Sequence, residues 1–295
     1  MAVPRLDPVD SQENLRSRIL RLIKKYSNKT DNPDQLPLEF PSEVDNHEDI
    51  EVGFKSIGAF LDYTVDAMPD GEVYIFGGVI RDMALFGKRG FNSDFDLVVE
   101  GDWSNLVSHL NHINAKKNKF GGFRLKVCGW PVDIWNAKDT WAIKQGIVPY
   151  EGILSLTKTT VLNWDGILMN WRTKSFIHGS NYFDDITSRT MDIVLEENPN
   201  PKGMAVRVFR HLCEKSARRI TPSVASYLAK VTKNYSFECL REAEIKSYKN
   251  SAILEGVYRY FKYIDLSKGD SIEHPYSLAK NIMMKELGLD NQSKN

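Results

Sequence analysis

Apolar positions first recur at helical spacing between residues 11 and 26, where Leu15, Ile19, Leu22 and Ile23 fall on one face and Arg16, Arg18, Lys24 and Lys25 surround it. This predicts an amphipathic helix that packs through a short apolar face rather than lying on a membrane. Residues 27–46 are polar and carry Pro33, Pro37 and Pro41, the composition of a linker. Ile50, Phe54, Ile57, Phe60, Leu61 and Val65 return to a helical period, which Pro69-Asp70-Gly71 ends with a turn. From Glu72 the period changes. Val73, Tyr74, Ile75 and Phe76 are a short run of strand formers that stops at Gly77-Gly78. Residues 79–86 read as a helix closed by Gly87, and residues 94–99 as a second strand. Further strands are expected at 123–127, 131–135, 160–164 and 175–178, with a helix near 103–113. Beyond Pro201 the apolar spacing is helical, at 204–213, 223–231 and 251–264. There is no internal repeat. The pattern therefore predicts an N-terminal helix and linker (1–46), a head domain of mixed strands and helices (47–200), and an all-helical neck or body (201–295), with the boundary near Asn200.

The chain has 295 residues, 42% hydrophobic and 26% charged, the balance of a folded protein rather than a disordered one. No apolar run approaches the roughly 20 residues that span a bilayer, and the N-terminus lacks a secretory apolar core. A cytoplasmic location with no membrane partner is the expectation. Cys128, Cys213 and Cys239 are far apart and never spaced C-x-x-C, which suggests neither a disulfide framework nor a zinc site. All three are expected reduced, Cys128 in a strand. Lys plus Arg equals Asp plus Glu at 39 each, so no global field draws in a long polyanion, and any nucleic-acid contact must be local.

The strongest chemical signal is Ser93-Asp94-Phe95-Asp96-Leu97-Val98-Val99. On a strand, positions i and i+2 share a face, so Asp94 and Asp96 present two carboxylates side by side while Phe95 and Leu97 face the core. Their repulsion is relieved by a divalent cation, and Mg²⁺ prefers such hard oxygen ligands. A lone D-x-D is common; the upstream element sharpens it. Gly77-Gly78 lies between a strand and a helix, where missing Cβ atoms let backbone N–H groups approach a phosphate. Arg81, followed by Asp82, is in the first turn of that helix, in reach of a phosphate oxygen. Asp133 is the only charge in the apolar run Pro131-Val132-Asp133-Ile134-Trp135 and is the candidate third carboxylate, with Asp139 a weaker substitute. Gly87-Lys88 fails as a P-loop end because Asp82 and Arg89 stand where Gly and Ser or Thr are needed. His109 and His112 lack a third ligand and read as a solvated helix face. Trp130, Trp135 and Trp141 suit either base stacking or the core.

The stretch GGVIRDMALFGKRGFNSDFDLVV, residues 77–99, resembles the head-domain signature of class II CCA-adding enzymes and bacterial poly(A) polymerases, members of the polymerase-beta superfamily. Thr159-Thr160-Val161-Leu162-Asn163, Asp184-Asp185-Ile186, and Asn198-Pro199 through Arg207-Val208-Phe209-Arg210 and Ile220-Thr221-Pro222 are similar to later family segments, so the resemblance covers about residues 73–225 in family order. It implies an α+β polymerase-beta-like head, a mixed sheet with flanking helices, followed by a helical neck. It also implies that Gly77, Gly78 and Arg81 hold a nucleoside triphosphate while Asp94, Asp96 and Asp133 bind two Mg²⁺ or Mn²⁺ ions. Asp82, Asn163, Arg207 and Arg210 fall in the matching motifs as nucleotide-site candidates. The family's Arg-Arg-Asp is replaced by Leu156-Thr157-Lys158-Thr159, which leaves only Lys158 as a phosphate contact. The family's nucleotide-reading motif is not recognisable after the neck; Arg241 and Glu244 are a candidate remnant. The implied activity is template-independent transfer of a nucleoside monophosphate from an NTP or dNTP to a hydroxyl at an RNA 3′ end or a small oligonucleotide. Synthesis of a signalling nucleotide, protein nucleotidylation with a partner protein in a bacterial toxin-antitoxin or anti-phage system, and a non-catalytic nucleotide sensor are the alternatives.

Overall fold

A computed structural model describes residues 7–25, 51–91, 93–118, 121–215 and 217–264. The expected linker at 27–46 and the apolar position Ile50 lie outside the described residues. The chain divides into two compact units, the described residues up to Thr187 forming the first and those from Ser188 the second. Residues 188–200 thus group with the second unit, although the sequence pattern places the boundary near Asn200.

The first unit comprises α1 (Gln12–Lys25), β1 (Glu51–Val52), α2 (Ile57–Asp66), β2 (Glu72–Phe76), α3 (Gly78–Leu85), β3 (Phe95–Glu100), α4 (Trp103–His112), β4 (Lys116–Lys117), β5 (Phe123–Val127), β6 (Trp130–Asn136), α5 (Trp141–Lys144), β7 (Ile167–Asn170), β8 (Phe176–His178) and α6 (Tyr182–Ser188). Its eight-stranded sheet runs β1-β5-β6-β3-β2-β7-β8, with β4 beside β5. The sheet is mixed: β1 is parallel to β5 and β3 to β6, and the remaining pairs are antiparallel. The fold class is α+β, as expected. Phe95, Leu97, Phe123, Leu125, Val132 and Ile134 alternate onto one face and are buried. The opposite face carries a second apolar cluster of Tyr74, Phe76, Val98 and Leu168 with Ala137 and Leu156, against which Trp135 and Tyr150 pack. Helix α1 buries Leu15, Ile19, Leu22 and Ile23. Its Arg18 donates to the carbonyls of Met83 and Ala84 at the end of α3, tying the two helices together.

Three local expectations are corrected. The helix expected from Ile50 begins only at Ile57, because Ser56 is extended and caps it by accepting from the Ala59 amide, while Glu51 and Val52 pair with β5. Phe54 keeps its apolar contacts from a loop, its ring 5.2 Å from Phe60 and 5.1 Å from Tyr63. The strand expected at 160–164 is replaced by turns, and β7 starts at Ile167. There the Thr159 and Thr160 hydroxyls donate to nearby carbonyls of Leu156 and Leu162, a local alternative to strand pairing. Cys128 lies not in a strand but in the β5–β6 turn with Gly129, both at positive φ (52° and 73°), the requirement of a tight two-residue hairpin.

The second unit comprises β9 (Thr190–Met191), α7 (Pro201–Glu214), β10 (Arg219–Ile220), α8 (Pro222–Asn234), α9 (Phe237–Tyr248) and α10 (Glu255–Tyr263). Asn200, Thr221 and Ser236 cap α7, α8 and α9 through their side chains, and proline opens α7 and α8. The region is not all-helical: β10 pairs in parallel with β9. Helix α9 has no apolar stripe to betray it, burying only Leu240 and Glu244. Among the described residues, no helix is long and apolar enough to cross a membrane.

Candidate functional site

Strand β2 ends at a glycine corner. Gly77 has φ +63°, a conformation that costs glycine little, and its amide donates to the Ile167 carbonyl at 3.0 Å. A Cβ at Gly78 would lie 3.0 Å from Ser93 Oγ and 3.1 Å from Ser93 Cβ, so the second glycine allows close approach of the segment that leads into β3. The corner therefore sets α3 and the start of the carboxylate strand against each other.

Arg81 and Asp82 lock this arrangement from beneath. Arg81 Nε donates to Asp82 Oδ1 at 2.9 Å, Nη1 to Asp165 Oδ1 at 2.5 Å, and Nη2 to Ser93 Oγ at 3.2 Å. Ser93 Oγ in turn donates to Asp82 Oδ2 at 2.7 Å. Burial works against charge on Arg81, but Asp165 and Asp82 more than offset it and hold the guanidinium firmly protonated. The Arg81 fork is thus engaged inside the protein with Asp82, Asp165 and Ser93, and the pair positions Ser93, next to Asp94.

The carboxylates come together through strand register. In the parallel β3–β6 pair Asp96 stands opposite Asp133, and in the antiparallel β5–β6 pair Arg124 stands opposite Asp133. Residues opposite one another across a ladder point to the same face, so Asp96, Asp133 and Arg124 form a polar row, with Asp94 two residues before Asp96. Arg124 Nη1 donates to Asp133 Oδ2 at 2.7 Å and Nη2 to Asp94 Oδ2 at 3.1 Å. All three side chains keep roughly a fifth to a quarter of their surface exposed. Among the described residues, no three His, Cys, Asp or Glu side chains are gathered tightly enough to hold a metal ion. The donors nevertheless suit Mg²⁺ or Mn²⁺: they are carboxylate oxygens on adjoining strands, and two of them already share one cation. Asp139 stands apart, paired with Lys144 at 3.0 Å.

The other candidates are placed as follows. Lys158 is exposed at the end of a 3₁₀ turn, and Asn163 donates to Asp185 at 2.9 Å. Arg207 is exposed on α7. Arg210 is buried and donates to Glu214 at 2.8 and 2.9 Å, Glu244 at 2.6 Å and Asn250 at 2.9 Å. Its fork is occupied within the second unit. Glu244 is fully buried and also accepts from the amides of Ala252 and Ile253, which makes it a structural anchor rather than a base reader. Trp130 belongs to the core, against Phe91 and Phe95, while the partly buried Trp135 packs against Phe76. Three residues were not singled out from sequence: Arg124, Ser93 and Asp165. The alternation of Phe123-Arg124-Leu125-Lys126-Val127 carries the signal for Arg124, since it turns Arg124 away from the apolar face. Asp165, set in a turn, offers none.

Compared with known proteins, the sequence matches no protein-family model and no curated protein. Among solved structures, the chain is similar to a CCA-adding enzyme in complex with CTP, with a TM-score of 0.48 and 18% identity over 68% of this chain and 49% of that one. It is also similar to the Thermotoga maritima CCA-adding enzyme complexed with tRNA, with a TM-score of 0.47 and 19% identity over 68% of this chain and 48% of that one. A third is a tRNA nucleotidyltransferase complexed with a primer tRNA and an incoming ATP analogue, with a TM-score of 0.43 and 16% identity over 77% of this chain and 75% of that one. The chain spans about half the length of the first two.

Proposed function

We propose that this protein is a nucleotidyltransferase that moves a nucleoside monophosphate from a triphosphate to a hydroxyl and releases pyrophosphate. The observation that carries the proposal is the register of β3 with β6, which sets Asp96 opposite Asp133 on the face where Asp94 shares a guanidinium with Asp133. Asp94, Asp96 and Asp133 would hold the divalent ions, which supply charge neutralisation of the triphosphate and a more acidic acceptor hydroxyl. Beside them, the Gly77-Gly78 corner leaves the first-turn amides of α3 as phosphate donors. The Arg81–Asp82–Asp165 network keeps that corner and the carboxylate strand in fixed relation. With a net charge of zero and the Arg81 and Arg210 forks both buried, a small acceptor such as a short oligonucleotide or a second nucleotide is favoured over a long RNA.

Purified protein incubated with each labelled NTP and dNTP in Mg²⁺, with and without RNA, tests this reading. Products that form without RNA identify the small acceptor. Asp96→Asn should lower incorporation by at least about a hundredfold while the far-UV spectrum is unchanged. Full incorporation by that variant would remove the assignment. A non-catalytic nucleotide sensor is the second reading, favoured by the hold of Arg124 on two of the three carboxylates. Thermal stabilisation by nucleotide with no pyrophosphate release would select it.

A further inference from the structure

We infer that Arg124 is a built-in counter-cation of the carboxylate site, which a divalent ion must displace before Asp94 and Asp133 can both serve it. The inference rests on the two-ion reading above. Arg124 reaches the site because β5 places it opposite Asp133, one strand further from Asp96. Its two terminal nitrogens are divided between two acids, Nη1 on Asp133 and Nη2 on Asp94, and each takes the Oδ2 oxygen. A divalent ion between the same two carboxylates would sit beside a fixed positive charge, and like charges at such range repel strongly in a partly desolvated site. Occupancy by the ion and occupancy by the guanidinium therefore exclude one another.

The surroundings allow the exchange. The side chains of Arg124, Asp94 and Asp133 are 21%, 26% and 21% exposed, so the departing guanidinium can be hydrated and its apolar stem can remain on the sheet. The arrangement has a purpose in the metal-free chain. Adjoining carboxylates repel, and a shared guanidinium holds them aligned until the ion arrives. The consequence is weaker metal binding than three aspartates alone would give.

Mn²⁺ binding to the full chain, read from the electron paramagnetic resonance of the free ion, tests this alongside thermal unfolding in EDTA and in Mn²⁺. Arg124→Gln should bind Mn²⁺ roughly tenfold more tightly than wild type. It should melt earlier in EDTA and recover the difference when Mn²⁺ is added. Arg124→Lys keeps the charge without the fork and should fall between the two. Unchanged or weaker Mn²⁺ binding by folded Arg124→Gln overturns the inference. If that variant does not fold, Arg124→Lys decides: tighter binding than wild type supports the exchange, and equal or weaker binding overturns it. Asp133→Asn separates the two levels. Where Mn²⁺ binds in an Asp133-dependent way but equally with and without Arg124, the two-ion reading stands and the counter-cation falls. Where no protein binds it through Asp133, the two-ion reading falls as well.

Discussion

Arg81 forks between Asp82 and Asp165 with side-chain exposures of 9%, 0% and 12%, whereas Arg124 forks between Asp94 and Asp133 with exposures of 21%, 26% and 21%. The bonds are alike in kind. What differs is the alternative open to each guanidinium: Arg81 has no water to go to, and its departure would leave Asp82 charged and sealed in the core. Arg124 faces a partly wet surface where another cation can take its place. Buried pairs are costly to break whether or not their net contribution is favourable, while partly hydrated ones exchange more cheaply. Burial thus separates a permanent brace from a replaceable one within one unit. Arg210 in the second unit repeats the buried kind, spanning α7, α9 and the turn before α10 through Glu214, Glu244 and Asn250.

The largest expected effect lies at the buried fork. Arg81→Leu leaves Asp82 and Asp165 without their cation and should cost about 3–5 kcal/mol in denaturant unfolding at neutral pH. A loss below about 1 kcal/mol would show that this fork is as replaceable as that of Arg124, and the comparison would fail. Next comes Glu244→Gln, which replaces an oxygen facing the Ala252 and Ile253 amides and weakens the pairing with Arg210. It should cost about 2–3 kcal/mol and leave Mn²⁺ affinity untouched. A change in Mn²⁺ binding would contradict its purely structural part.

The two kinds of fork were unequally legible in the sequence. The elements of the head followed from period changes and glycine punctuation, so β2, α3, β3, β5 and β6 fall close to their expected places. Asp94, Asp96 and Asp133 stood out because a charge in an apolar strand run demands a reason. Which partner each charge takes depends on register across strands far apart in sequence, and no local pattern encodes it. Arg81 shows this plainly: beside a glycine pair at a helix start it reads as a phosphate ligand, until the chain returns 84 residues later with Asp165. The partners of Arg210 were hidden for the same reason, its buried partner Glu244 arriving 34 residues later on a helix with no apolar stripe.

Removing the exposed fork is a smaller perturbation. Arg124→Gln in EDTA should cost about 1 kcal/mol or less, since partly hydrated pairs gain little beyond what water gives each ion. A cost approaching that of Arg81→Leu would mean that the carboxylates cannot stay aligned without it, and would make the counter-cation a structural brace.

The smallest effect is expected at Glu214, and it divides the Arg210 cluster internally. Glu214 shares Arg210 with Glu244 but keeps 39% of its side chain exposed, against 0% for Glu244. Burial raises the affinity of its carboxyl for a proton, with Arg210 and Lys215 pulling in the other direction, and the outcome is a value above the ordinary 4.5. The native state therefore binds this proton more readily than the unfolded chain. The associated stability is complete below 4.5 and is lost as pH rises through the raised value. Glu214→Gln removes that slope, so it should change stability by no more than about 0.5 kcal/mol near neutrality. Relative to wild type, the variant should gain as pH rises from below 4.5. Denaturation midpoints of both proteins across this range give the sign directly. If wild type instead gains on the variant as pH rises, the pull of Arg210 outweighs burial at Glu214, and both of its glutamates belong to the permanent brace.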